Sequence, residues 1–258
     1  MSERRIQQII TGRPASDGAG VRLNRVLSPQ RPLDPFLMLD EFNSDQADDY
    51  IAGFPSHPHR GFETVTYMLE GRMLHEDHLG NQGLLTSGSV QWMTAGRGII
   101  HSEMPQQEEG RMRGFQLWIN LPATEKMKPA AYQDLPPEAI PVIETEGGRV
   151  KVVAGRFSHD GETTVGAVTG VTTDPLYLDV TLAAGARLEV PVTAGHTALV
   201  YVFEGELAVA DRLVARGQLA VLGDGERIGL GGAAGGGLAL VLAARPLREP
   251  IVQYGPFV

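Results

Sequence analysis

Two short histidine motifs carry the chemistry that this chain can be expected to do. They are His57-Pro58-His59 and His101-Ser102-Glu103. In an extended strand residues i and i+2 point to the same face, so each motif presents two side chains to one interior point. Two such motifs on neighbouring strands would converge three imidazoles and one carboxylate. That donor set suits Fe(II), Mn, Ni, Cu(II) or Zn and leaves positions open for water or substrate. Without a metal or full hydrogen bonding, burying these groups would be costly. Glu63 is a competitor for the carboxylate position. Along 57, 59, 61, 63, 65, 67 and 69 the residues are His, His, Gly, Glu, Val, Tyr and Leu, so Glu63 shares the parity of the two histidines. It could replace Glu103 or support the site from outside, and Glu103 is the preferred ligand.

The remaining histidines read as weaker candidates. His75-Glu76-Asp77-His78 has a three-residue spacing whose imidazoles would diverge from a strand, and a solvated turn is expected there. His159 in Ser158-His159-Asp160-Gly161 and His196 in Ala194-Gly195-His196 read as turn and loop residues. No Gly-x-Ser-x-Gly elbow accompanies a serine nucleophile. Gly229–Gly237 holds six glycines but lacks the Lys-Ser/Thr ending of a phosphate cradle, and a flexible loop is expected.

The elements that must position these residues are strands. Glu63–Leu69, Ser89–Met93, Gly114–Ile119, Val150–Val153, Leu176–Leu182, Ala198–Phe203 and Leu238–Leu242 are rich in β-branched, aromatic or aliphatic residues, and most are bounded by turn formers. The 32 Gly and 17 Pro favour tight turns over long helices. The best helical candidate is Leu135–Ile140. Thr94-Ala95-Gly96-Arg97-Gly98 supplies a glycine turn, after which Ile99 and Ile100 return the chain to β structure before His101. The expected class is all-β, as sandwich or barrel. The proline-rich stretch Leu121–Pro141 reads as the connection between two halves. Those halves are similar at one place. Val65-Thr66-Tyr67-Met68-Leu69-Glu70-Gly71 matches Leu199-Val200-Tyr201-Val202-Phe203-Glu204-Gly205, and Ser87–Trp92 is answered by Arg216–Val221. A duplicated β-domain explains this economically.

Composition excludes several classes. The chain has 258 residues, enough for one or two domains with a sizeable core. Lys plus Arg is 22 against 31 Asp plus Glu, and the formal charge of -9 argues against direct nucleic-acid binding. With Cys at 0 there are no disulfides, thiolate metal sites or cysteine nucleophiles. The opening residues lack the apolar run of a secretory signal, and no stretch is long and apolar enough for a membrane span. A cytoplasmic protein without membrane contact is expected.

Three blocks are long and specific enough to place the chain beside a known family. Phe54–Tyr67, Gln91–Met104 and Gly114–Trp118 closely resemble the pirin family of the cupin superfamily, and the resemblance is densest from about Pro35 to Lys128. It implies two tandem cupin barrels of the double-stranded β-helix or jelly-roll kind: a metal-binding domain over 1–130, and a second cupin over 131–258 without metal ligands. The family's ligands fall on His57, His59, His101 and Glu103. Aligned on the repeated Glu-Gly, Pro191, Thr193 and Thr197 stand opposite His57, His59 and Glu63 in the second half. Pirins bind iron, so Fe(II) is the expected cofactor, with Mn, Ni, Cu and Zn allowed by the donor set. Several resemble quercetin 2,3-dioxygenases, which open a flavonol ring with O2 and release carbon monoxide. The expected partners are therefore a small aromatic substrate and O2, with Glu103 as ligand and catalytic base. Other pirins act as regulators through protein contacts, which gives the alternative of an iron-dependent redox sensor with a protein partner. A monomer is expected, since tandem barrels pack internally.

Overall fold

The structure, a computed structural model, describes residues 2–258. It comprises two compact units, one of Arg13–Glu138 with Leu247–Val258 and one of the N-terminal segment to Gly12 with Ala139–Pro246. The first strand, β1 (Ile6–Thr11), belongs to the latter. The former carries β2 (Arg13–Asp17), β3 (Val21–Leu27), β4 (Phe36–Ser44), β5 (Phe54–His59), β6 (Phe62–Glu70), β7 (Met73–Asp77), β8 (Gln82–Leu85), β9 (Val90–Thr94), β10 (Ile99–Pro105), β11 (Met112–Asn120) and β12 (Ala131–Leu135). Among the described residues no helix is long and apolar enough to cross a membrane.

In this histidine-bearing unit a seven-stranded sheet runs β12-β9-β6-β11-β4-β3-β2 and a four-stranded sheet runs β5-β10-β7-β8. Its β6 is β-branched and aromatic and is buried on both faces from Phe62 to Met68, as a central strand covered on each side must be. The two sheets share one core. Val21, Leu23, Phe42, Met68 and Met112 of the larger sheet pack with Met73 and Leu85 of the smaller. Neither sheet closes on itself, so the expected barrel is a pair of facing sheets, as in a jelly roll.

The chain passes from one sheet to the other at Arg60-Gly61. This breaks the parity expected to run from His57 to Leu69, because β5 and β6 lie in different sheets. Gly61 takes a left-handed φ of +86, and a Cβ there would lie 2.0 Å from the Val258 carbonyl oxygen. A non-glycine residue could not make this corner without moving the C-terminal segment. The expected helix at Leu135–Ile140 is also corrected. Leu135 closes β12 opposite Val90, and only the 3-10 turn Pro137–Ala139 follows. Consecutive prolines lack the N–H groups that a short helix needs, and so few residues cannot nucleate one. The stretch read as a connection thus supplies an edge strand.

In the second unit the long strand Thr197–Val209 pairs with Gln218–Leu222 on one side and Arg227–Ala244 on the other. This repeats β6 between β9 and β11. Tyr67 faces Val90 in the first unit and Tyr201 faces Leu219 in the second, in each case two residues beyond the landmark glycine, Gly88 or Gly217. The loose sequence repeat therefore marks a shared strand register. The Gly229–Gly237 segment is not the expected loop but part of strand Arg227–Ala244. That strand pairs first with Arg187–Pro191 and then with Leu176–Leu182, so it bends between partners. Small residues are required at the bend: a Cβ on Gly232 would lie 1.9 Å from the Ala183 carbonyl oxygen. The interior of this unit is apolar, built from Val150, Leu178, Val200, Leu207, Val241 and their neighbours.

Candidate metal centre

The site forms on three adjacent strands of the four-stranded sheet. β10 pairs antiparallel with β5 on one side and β7 on the other. His101 stands opposite His57, and His59 lies two residues further along on the same face. One ring nitrogen from each of His57, His59 and His101 lies within 4.8 Å of the others. The spacing of the two motifs therefore does place three imidazoles at one point. His59 and His101 are buried, while His57 is half-buried at the edge of a cavity.

Hydrogen bonds fix which nitrogens face inward. His57 Nδ1 lies 2.8 Å from the Pro55 carbonyl oxygen and donates to it, leaving Nε2 with its lone pair. That Nε2 is 3.0 Å from His59 Nε2. His101 Nε2 is buried and has no hydrogen-bond partner in the protein. A buried nitrogen without a partner costs about 1–3 kcal/mol, and a metal ion at the convergence point would satisfy it. The residues thus fit a single metal ion. Burial, and next the neighbouring His57, holds the His59 imidazolium down to about 3. Burial also lowers His101 strongly, reinforced by His59, His57 and His75. At neutral pH the His59 and His101 rings are therefore uncharged, as metal ligation requires.

Glu103 is buried two residues along β10 from His101, on the wall of the cavity that also exposes His57 and His59. It lies outside the three-imidazole group. Its carboxylate accepts a bond from Thr66 Oγ1 at 2.9 Å and a longer one from Gln116 Nε2 at 3.4 Å. Both partners come from the facing sheet. Glu63 is placed elsewhere. Its carboxylate accepts from Thr94 Oγ1 at 2.7 Å and Trp92 Nε1 at 3.1 Å, with Lys128 Nζ 3.9 Å away. Burial pushes its pKa up, and the Thr94 and Trp92 bonds hold it back. Glu63 is thus committed to β9, and the corner at Gly61 explains why its shared parity does not bring it to the imidazoles.

His75 corrects the solvated turn expected at His75–His78. It is buried, and its Nε2 lies 2.7 Å from His101 Nδ1. His78 is exposed, as expected of a turn. The signal for His75 was its alternation with Met73, which points inward from the same strand; the three-residue spacing to His78 obscured it.

The cavity beside the histidines has a volume of about 670 Å³. Leu23, Met38, Phe42, Phe54 and Trp118 provide apolar and aromatic walls. Gln116, Glu103 and the Arg25–Asp40 pair add polar groups, and Gln253, Gly255 and Pro256 close one side. Arg25 Nε and Nη2 contact Asp40 at 2.7–3.2 Å, and Nη2 also reaches Asp17 at 2.7 Å, which keeps the guanidinium charged. Such a space suits a flat aromatic molecule with a few polar substituents.

Comparison with known proteins agrees with this architecture. The family described as Pirin matches residues 20–119, and the Pirin C-terminal cupin domain matches residues 177–258. A pirin-like protein of Caulobacter vibrioides is 50% identical over 261 residues, covering 100% of this chain and 93% of its own length. Human pirin is 40% identical over 265 residues, covering 100% of this chain and 88% of that one. The crystal structure of a quercetin 2,3-dioxygenase from Acinetobacter baumannii superposes with a TM-score of 0.89 at 34% identity, over 99% of this chain and 92% of that one.

Proposed function

Since the chain belongs to the pirin family, with both of its cupin domains matched, we propose that it is a mononuclear-metal dioxygenase that opens a flavonol such as quercetin with O2 and releases carbon monoxide. The convergence of three imidazole nitrogens within 4.8 Å beside an aromatic-walled cavity carries this reading. His57, His59, His101 and Glu103 would hold the ion, and imidazole with carboxylate suits Fe(II). A divalent metal supplies Lewis-acid polarisation of a substrate oxygen at such a site.

The chain's own groups do the rest. Glu103 takes the proton of the substrate hydroxyl, because a carboxylate held at the cavity wall can serve as a general base. Thr66 and Gln116 orient that carboxylate from the opposite sheet. Phe42, Phe54 and Trp118 flank the flat substrate and exclude water, and Gln116 lies within the same wall to meet its polar edge.

The test is oxygen uptake and carbon monoxide release by Fe(II)-loaded protein with quercetin. Equal molar uptake and release, absent in His57→Ala, is the expected result. Full turnover by His57→Ala, or oxygen uptake without carbon monoxide, would refute the proposal.

A further inference from the structure

Two of the three converging imidazoles have a visible outer partner. For His57 it is the Pro55 carbonyl, an obligate acceptor. For His101 it is another imidazole, His75, which either donates or accepts at 2.7 Å. The His101 Nε2 is buried without a protein partner in either case, and its place as a metal ligand decides between the two. If His75 donated, His101 Nδ1 would be the acceptor and the ring's single proton would sit on Nε2, aimed at the other imidazoles with nothing to receive it. If His75 accepts, the proton sits on Nδ1 and the Nε2 lone pair is free.

We infer that His75 is a positioning residue: its Nε2 accepts the Nδ1–H of His101 and so holds His101 in the orientation and tautomer that bind a metal through Nε2. The inference rests on the reading of His57, His59 and His101 as ligands. The fold builds the contact in. On the β7–β10 pair His75 stands opposite Glu103, and Asp77 stands opposite His101. His75 reaches diagonally to the His101 ring, at a centroid distance of 4.8 Å. Its other side is covered by Tyr132, 5.2 Å away between ring centroids. Tyr132 is fixed in turn by donating its hydroxyl to Asp77 at 2.6 Å. At 1% exposure His75 is shielded from water that could replace it as acceptor. Outer hydrogen bonds of this kind set ligand tautomer and basicity, and their loss typically costs 10–100-fold in metal affinity.

Two measurements on the full chain test the inference, with Zn(II) as the probe. The first is chelator competition for Zn(II) by the wild type, His75→Phe, His75→Gln and His57→Ala. His75→Phe should bind on the order of 10–100-fold more weakly, and His75→Gln, whose amide oxygen can accept, should recover much of that loss. The second needs no substitution. Long-range proton–nitrogen NMR of the Zn(II)-loaded wild type should show His101 protonated at Nδ1 and His75 unprotonated at Nε2. Wild-type affinity in His75→Phe, or a proton on His75 Nε2, overturns the inference. Undiminished Zn(II) binding by His57→Ala would instead overturn the ligand reading beneath it.

Discussion

His57 on β5 and His101 on β10 are direct register partners, and their ring centroids lie 4.4 Å apart. Cross-strand neighbours at this distance normally contribute apolar contact or opposite charge. Here two bases face each other, and burial holds His101 far below the ordinary imidazole range.

The pH dependence of the metal-stripped protein follows from that. The folded pKa of His59 falls from 6.5 to about 3, and His101 and His75 shift in the same direction through burial. The unfolded chain therefore binds protons first as the pH falls below 6.5. Stability is complete above that value and is lost as the pH drops toward 3, at up to about 1.4 kcal/mol per pH unit for each group. Urea midpoints of the stripped protein should decline steadily between pH 7 and 4.5. Replacing His59 by Gln should flatten part of that slope; an unchanged slope would contradict the assignment.

The two buried glutamates should separate cleanly. Glu103→Gln keeps the bond from Thr66 but loses the base, so turnover should fall by about 10²–10⁴-fold with the melting temperature little changed. Glu63→Gln offers one acceptor oxygen where the carboxylate offered two to Trp92 Nε1 and Thr94 Oγ1, and it removes the charge those bonds are made to. It should cost about 1–3 kcal/mol of stability and leave metal affinity intact. Parallel melting curves and oxygen-uptake rates on the two variants check both halves.

Gly61 is the corner on which the histidine-bearing strand depends. Gly61→Ala places a methyl group against the Val258 carbonyl at a left-handed φ, and the strain is about 1–3 kcal/mol. Because Val258 also donates its backbone N–H to the Arg60 carbonyl at 3.0 Å, the C-terminal segment beside the cavity should loosen. Hydrogen exchange of residues 254–258 should quicken in the variant. Unchanged protection would show that the segment is held elsewhere.

How far the sequence alone reached is clearest at particular residues. The shared face of His57 and His59 follows from period-2 geometry, whereas the pairing of His57 with His101 is a cross-strand register that the structure supplies; the Tyr67 and Tyr201 repeat located matching strand registers. Glu63 misled because parity holds only within one strand, and the chain changes sheet at Gly61. His75 was hidden because its value lies in a cross-strand diagonal, which a linear spacing does not encode. Gly229–Gly237 looked like a loop because glycine weakens a strand locally, whereas here neighbouring backbone comes so close at Gly232 and Gly236 that a Cβ would not fit. The exchange of termini, with β1 completing the second unit and Leu247–Val258 joining the first, is long-range pairing that no local pattern carries.

The most direct measurement is anaerobic titration of metal-stripped protein with Fe(II), read as bound ions per chain, beside the single variants His57→Ala, His59→Ala and His101→Ala. One ion should bind per wild-type chain, and binding should be at least a hundredfold weaker in every variant, each of which lacks one of the converging imidazoles. Stoichiometric binding that persists in any of the three at wild-type affinity would contradict the ligand assignment.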